Sequence, residues 1–225
     1  MTQLLARRWP TLLLLLWLPL VKWSLPAGWL RLLLFFVGGC ALAGFAVWKE
    51  GDWPRLQPLF ARPWRGLAIG LGVYALLVVV ALGLLIVPGI FRLLPLPLYA
   101  LVSMFDPRPV VHTLAMGGPL PSAVAVAVFG LGSVAEEWMF RTVLFWRWLP
   151  ARDTDGPRRV FSHPGAQARL VVVSVYFAAL HWPQPPGAML VALLGSLVLG
   201  NLLLWARNFT QVALLHVLFN WRLLL

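Results

Sequence analysis

Charge is scarce in this 225-residue sequence: 11% of the residues are charged, only seven are acidic, and 61% are hydrophobic. A soluble domain carries about 25% charged and roughly 45–50% apolar residues. That shortfall excludes an ordinary soluble fold, and mean hydropathy is +0.85. There is one cysteine, Cys40, so no disulfide framework can form within the chain. Its place in an apolar run reads as packing. No internal repeat and no low-complexity tract is evident. No Ala-x-Ala cleavage site follows the first apolar run, so the N-terminus is expected to be a retained membrane segment rather than a signal peptide.

What the sequence has instead is long apolar runs, at residues 9–23, 27–48, 66–87, 90–104, 120–149, 170–182, 187–206 and 209–225. A helix needs about 20 residues to cross a hydrocarbon layer of about 30 Å. The pattern predicts an all-α, polytopic transmembrane helical bundle of about seven or eight membrane-embedded helices, some short or re-entrant. Runs 9–23 and 90–104 are the short ones. Run 120–149 is overlong, and Gly130 and Gly132 are the expected place of a bend or break. Residues 1–118 form N-terminal membrane helices of unassigned role, and 119–225 form the core that carries the chemistry.

The formal net charge is +11. The basic residues sit in short segments between apolar runs, which is the positive-inside pattern and not a nucleic-acid surface. Placing Arg7, Arg8, the 49–65 and 147–169 connections and Arg207 on one face leaves Lys22, Arg31, Arg92, Arg108 and Arg222 opposite. The first group is then cytoplasmic, provided that run 90–104 does not cross. The N-terminus is predicted to be cytoplasmic too.

Of the seven acidic residues, Glu50, Asp52, Asp106, Asp153 and Asp155 fall in connections, and only Glu136 and Glu137 lie inside an apolar run. A carboxylate at the bilayer centre costs about 2.5–3.5 kcal/mol on insertion scales, so partners or water are required. Arg141, four residues after Glu137, shares its helix face and can pair with it. Glu136 is rotated by about 100° on a regular helix, which leaves it freer to act as a base. His112 and His163 fall in connections and are expected to be solvated. His181 and His216 lie at or inside apolar runs, and the pairs Phe177/His181 and His216/Asn220 each present one face. With Arg147, Arg169 and Arg207 as face markers, Glu136, His181 and His216 reach similar depths of about 14–18 Å. Such a set suits hydrolysis: a glutamate and a histidine to activate water, and donors for an oxyanion. A Glu/His/His set also fits zinc. The His-Glu-x-x-His helix motif is absent, so a divalent metal is left open and is not indicated.

Three motifs occur in order: Glu136-Glu137-x-x-x-Arg141, Phe177-x-x-x-His181 and His216-x-x-x-Asn220. Together they resemble the CAAX protease and bacteriocin-processing family (CPBP, also called Abi), over roughly residues 120–225. The resemblance implies an intramembrane endopeptidase related to type II CAAX prenyl proteases, multi-pass in a bacterial plasma (inner) membrane, with a membrane-associated protein or peptide as substrate. It implies that Glu136 and His181 activate water, that His216 and Asn220 stabilise the oxyanion, and that Glu137, Arg141 and Phe177 support the site. A metal-free glutamate mechanism is favoured over a metal-dependent one. The glycines usually four apart in the helix before the last are here Gly195 and Gly200, five apart, though Ser196 and Gly200 keep a small-x-x-x-small spacing that allows close helix approach. Two other readings remain: a catalytically silent scaffold or immunity protein that keeps the motif, and a proton-coupled transporter.

Overall fold

The computed structural model describes residues 2–26, 28–86, 122–150, 164–182, 184 and 186–222. The 90–104 run lies outside the described residues. So do Arg92, Asp106, Arg108, His112, Asp153, Asp155 and His163.

The described chain is all helix, with no strand. Helix α1 (Thr2–Ser24) contains Pro10 and Pro19. A proline inside a helix removes one N–H and frees the carbonyl four residues back. For Pro19 that carbonyl is Leu15 O, and the Tyr176 hydroxyl donates to it at 2.6 Å. A neighbouring helix thus supplies the bond that the proline removes, as membrane helices require. Helix α2 (Trp29–Leu33), a π-helical segment Leu34–Gly38 and α3 (Gly39–Glu50) follow one another. Gly51 closes α3 in the left-handed conformation at φ 69°, which glycine adopts without strain. Helix α4 (Trp53–Leu56) and a 3₁₀ turn (Gln57–Phe60) lead to α5 (Pro63–Ile86).

Helix α6 (Ser122–Glu136) runs directly into a π-helical segment, Glu137–Phe145, and a 3₁₀ turn, Trp146–Trp148. Helices α7 (Pro164–Ala179), α8 (Pro186–Ala206) and α9 (Phe209–Arg222) complete the chain. The starts of α5, α7 and α8 at Pro63, Pro164 and Pro186 follow from proline's fit to a first helical turn. Helix α9 packs between α5 and α6, α7 packs on α8, and α1 packs on α3. The Glu137–Phe145 segment touches α3, α7 and α9, and all of it but Trp138 is buried. One apolar core joins Leu14, Leu18 and Phe35 to Met139, Phe140, Val143 and Leu203.

Two expectations are corrected here and a third is met only in part among the described residues. The overlong run does not break at Gly130 or Gly132, since α6 is helical through both. A Cβ on Gly132 would stand 3.0 Å from the Phe36 ring, so this glycine admits a neighbouring aromatic. The irregularity lies further on, where α-helix changes to π-helix between Glu136 and Glu137.

The span count of seven or eight is not reached among the described residues. Two helices are long and apolar enough to cross a membrane, Leu30–Glu50 and Pro186–Ala206, with mean hydropathies of 2.1 and 2.2. Only 28% of each is buried within the molecule, which leaves most of its surface for lipid. Trp53–Phe60 with Pro63–Val79, bent by 58°, makes a third if taken as one broken span. Helices α7 and α9 have 16 and 14 residues, short of the about 20 a full crossing takes.

Finally, Glu50, Asp52 and Arg147 lie at the ends of apolar runs, as the sequence places them, but do not face solvent there. All three are buried. Arg8 pairs with Glu50 at 2.5 Å and with Asp52 at 2.6 Å. Arg147 reaches Glu50 at 3.5 Å and Asp52 at 3.4 Å. The Thr11 hydroxyl donates to Glu50 at 2.7 Å and accepts from Arg147. The cluster ties α1 and the end of α3 to the turn that follows the π segment. Arg147 is therefore no marker of a membrane face.

Candidate active site

The π segment opens on Glu137, and the carboxylate of Glu137 is fully enclosed, with 0% of its side chain exposed. A buried carboxylate needs partners to hold its charge. Arg141, one turn on, lies 3.2 Å from Glu137 Oε1. His216 on α9 places Nδ1 2.7 Å from the same oxygen. A carboxylate oxygen accepts, so Nδ1 carries the hydrogen. This orients the imidazole with Nε2 3.6 Å from Glu136 Oε2. The Glu136 side chain is 17% exposed. The two adjacent carboxylates are therefore unlike: one is sealed and doubly held, the other stands at the edge of the cluster.

A second rung lies beside the first. Asn220 Nδ2 donates to Ser133 Oγ at 2.8 Å, and Ser133 Oγ donates to the Phe129 carbonyl at 2.7 Å. His216 and Asn220 are four apart on α9, and Ser133 and Glu137 are four apart on α6 and its continuation. Antiparallel helices that touch at 216 and 137 meet again at 220 and 133. Ser133 is the residue that sequence reasoning missed. The signal was its four-residue offset from Glu137, which mirrors the offset of His216 and Asn220.

His181 enters from the far side of the cluster. It stands just beyond α7, in the turn after Ala179, and is not in mid-helix. Its Nδ1 lies 2.9 Å from the Phe177 carbonyl. A carbonyl only accepts, so Nδ1 bears the hydrogen and Nε2 is left as the nitrogen with a lone pair. The Phe177 ring sits between the imidazoles, with centroids 4.7 Å from His181 and 6.5 Å from His216. The Arg141 guanidinium lies over the same ring at 4.5 Å, a favourable cation–π contact. His181 also feels the charges of Glu136, His216 and Lys22. Glu136, Glu137, Arg141, Phe177, His181, His216 and Asn220, drawn from three separate stretches of chain, thus converge on one place.

The donors do not form a metal site as they stand. Among the described residues no three His, Cys, Asp or Glu side chains group as ligands. Both histidines turn Nδ1 to an oxygen acceptor, and Glu137 is committed to Arg141 and His216.

No curated protein and no solved structure matches the chain. A family model described as "Type II CAAX prenyl endopeptidase Rce1-like" matches residues 118–222. The apolar helices and this match make the chain an integral membrane protein. The matched stretch begins just before α6, ends with α9 and holds every member of the cluster, and over it the chain is similar to the CAAX protease family.

Proposed function

We propose that this chain is an intramembrane endopeptidase that hydrolyses a peptide bond of a membrane-associated protein or peptide, using water activated by Glu136 and His181 without a metal. The observation that carries the reading is the difference between the adjacent carboxylates. Glu137 is sealed against Arg141 and His216, whereas Glu136 stays partly open and, among the described residues, has only His216 as an ion-pair partner. An acceptor kept free beside oriented imidazoles suits general-base work.

Glu136 takes a proton from water while His181 Nε2 accepts the second hydrogen bond of that water. The hydroxide adds to the scissile carbonyl. Asn220 has given one amide hydrogen to Ser133 and keeps the other for the oxyanion. His216 can add a second donor there only as the imidazolium, since its Nδ1–H is committed to Glu137. The C–N bond then breaks, and the proton held by Glu136 passes to the leaving nitrogen. Such preorganised donors are worth about 10²–10³ in rate each.

The description of the matched family makes a prenylated CAAX-type peptide one substrate class within this reading. Leader peptides and anchored sorting signals are others. The bias of basic residues supports a cytoplasmic N-terminus, and the membrane within this reading is a bacterial plasma membrane. The test is comparative proteomics of membrane fractions from wild type and a Glu136→Gln strain with matched protein levels. A precursor that accumulates uncut in the variant is the expected result. Unchanged processing with normal accumulation of the variant would leave a silent scaffold as the better reading.

A further inference from the structure

An open cavity of about 660 Å³ is lined by Lys22, Trp23, Arg31, Ala179, Trp182 and Met189. Ala179 and Trp182 flank His181 in sequence, so the cavity shares a wall with the catalytic cluster. Its other wall comes from the end of α1 and from α2, in the half of the chain outside the family match.

Among the described residues its two cations have no counter-charge in contact. Among the described residues Lys22 makes no ion pair and no hydrogen bond, and its ammonium rests 5.7 Å from the Phe35 ring centroid. Arg31 makes one long hydrogen bond, to the Leu25 carbonyl at 3.5 Å. Both are half-buried, and each feels the repulsion of the other. Lys22 also lies in the field of Glu136 and acts in turn on His181. Two like charges on the wall of one cavity beside apolar side chains, with no anion paired to either among the described residues, complement a ligand that is apolar along its length and anionic at one point.

We propose that Lys22 and Arg31 form a carboxylate-binding subsite of the substrate cleft. The substrate chain lays an apolar stretch against Trp23, Trp182 and Met189 and places a carboxylate between the two cations. This sets the peptide bond to be cut beside Glu136 and His181. The proposal rests on the endopeptidase reading. The carboxylate is either the substrate's own C-terminus or an acidic side chain near the cut. A peptide is favoured over a lipid headgroup because Ala179 and Trp182 of the cavity wall bracket His181 in the chain, so a resident lipid would crowd the approach of any substrate to that residue.

The test separates binding from cleavage. The full chain with Glu136→Gln is placed in zwitterionic lipid nanodiscs and titrated with three fluorescein-labelled peptides of one apolar sequence. The first ends in a free carboxylate, the second in a carboxamide, and the third is amidated but carries one internal Glu. At least one anionic peptide is expected to bind about tenfold more tightly than the neutral one, and which one does so identifies the source of the carboxylate. Lys22→Met and Arg31→Gln should each remove that preference while leaving the affinity of the neutral peptide alone. Lys22→Glu should transfer the preference to an amidated peptide bearing Lys. Equal binding of all three peptides, no binding, or a preference that survives both neutralising substitutions overturns the proposal. So does the finding that these substitutions alter only the retention of anionic lipid. If the proteomic test fails while the carboxylate preference holds, the hydrolase reading falls and the subsite stands. If processing depends on Glu136 but the preference is absent, the subsite alone falls.

Discussion

Asn220 donates to the hydroxyl of Ser133 at 2.8 Å, and this contact fixes where its remaining amide hydrogen points. Ser133 reaches no proposed substrate position, so it is a positioning residue. Ser133→Ala removes two neutral hydrogen bonds, the one accepted from Asn220 and the one donated to the Phe129 carbonyl, with a net stability cost of about 1–3 kcal/mol. Its larger effect is expected in catalysis: kcat falls about tenfold with KM unchanged, and Asn220→Ala falls about a hundredfold. The rate is read on the precursor that accumulates in the Glu136→Gln strain. The double variant should be no worse than Asn220→Ala, because the serine acts through the amide. Equal kcat for Ser133→Ala and the parent removes the serine from the mechanism.

The unlike settings of Glu136 and Glu137 predict unlike variants. Glu137→Gln leaves Arg141 buried without a full counter-charge, and breaking a buried pair costs about 3–5 kcal/mol. Thermal unfolding in detergent should show a large drop in Tm. Glu136→Gln changes a partly open side chain whose one ionisable partner among the described residues, His216, is 3.6 Å away, so its Tm should stay close to that of the parent. Arg141→Met added to Glu137→Gln should recover part of the loss. Equal Tm values for the two glutamine variants would contradict the division of roles.

The ordered motifs were legible in the sequence because charge within an apolar run is rare and stands out. Ser133 was not, because a serine in such a helix ordinarily bonds its own preceding turn. It does so here, to the Phe129 carbonyl, and its second role exists only once α9 is in place. The Glu50, Asp52 and Arg147 cluster was hidden for a different reason. Its members sit at the ends of apolar runs, where solvated loop charges also sit. The partners are some 95 residues apart, so only tertiary packing brings them together. Nothing in Glu137–Phe145 announces π-helix locally either. Several helix boundaries do have a local cause, since Gly51, Pro63 and Pro186 suit the ends and starts of helices by backbone conformation alone.

That buried cluster carries its own prediction. Arg147 is 0% exposed and faces both Glu50 and Asp52. Arg147→Met should destabilise the fold by about 3–5 kcal/mol and raise hydrogen exchange in α1 and the end of α3 together. Arg55 is exposed and donates to the Leu149 carbonyl. Arg55→Ala should therefore cost only about 0.5–1.5 kcal/mol and leave α1 protected. Exchange confined to the turn after the π segment in Arg147→Met would mean that the cluster does not tie these elements together.

The spacing of Ser196 and Gly200 suggested a close helix contact, and the packing of α8 on α7 locates it. Ser196 donates to Ser174 at 2.9 Å. A Cβ on Gly200 would lie 2.1 Å from Leu170 Cδ1, with Cδ2 at 3.1 Å and Cγ at 3.2 Å. Rotating the end of Leu170 relieves the first clash but not the crowding at Cγ, and Leu170 is itself a core residue at 1% exposure. Gly200→Ala should therefore destabilise by about 1–3 kcal/mol. At Gly195 an added Cβ meets nothing within 4 Å. Gly195→Ala should be neutral or stabilising, by up to about 1 kcal/mol from helix propensity. The pair controls for propensity, since both exchanges add the same methyl to the same helix. Thermal unfolding that ranks Gly200→Ala at or above Gly195→Ala would show that α7 and α8 do not approach this closely. With Leu170→Val added, Gly200→Ala should regain part of its loss, because the smaller side chain withdraws the atoms that the methyl meets.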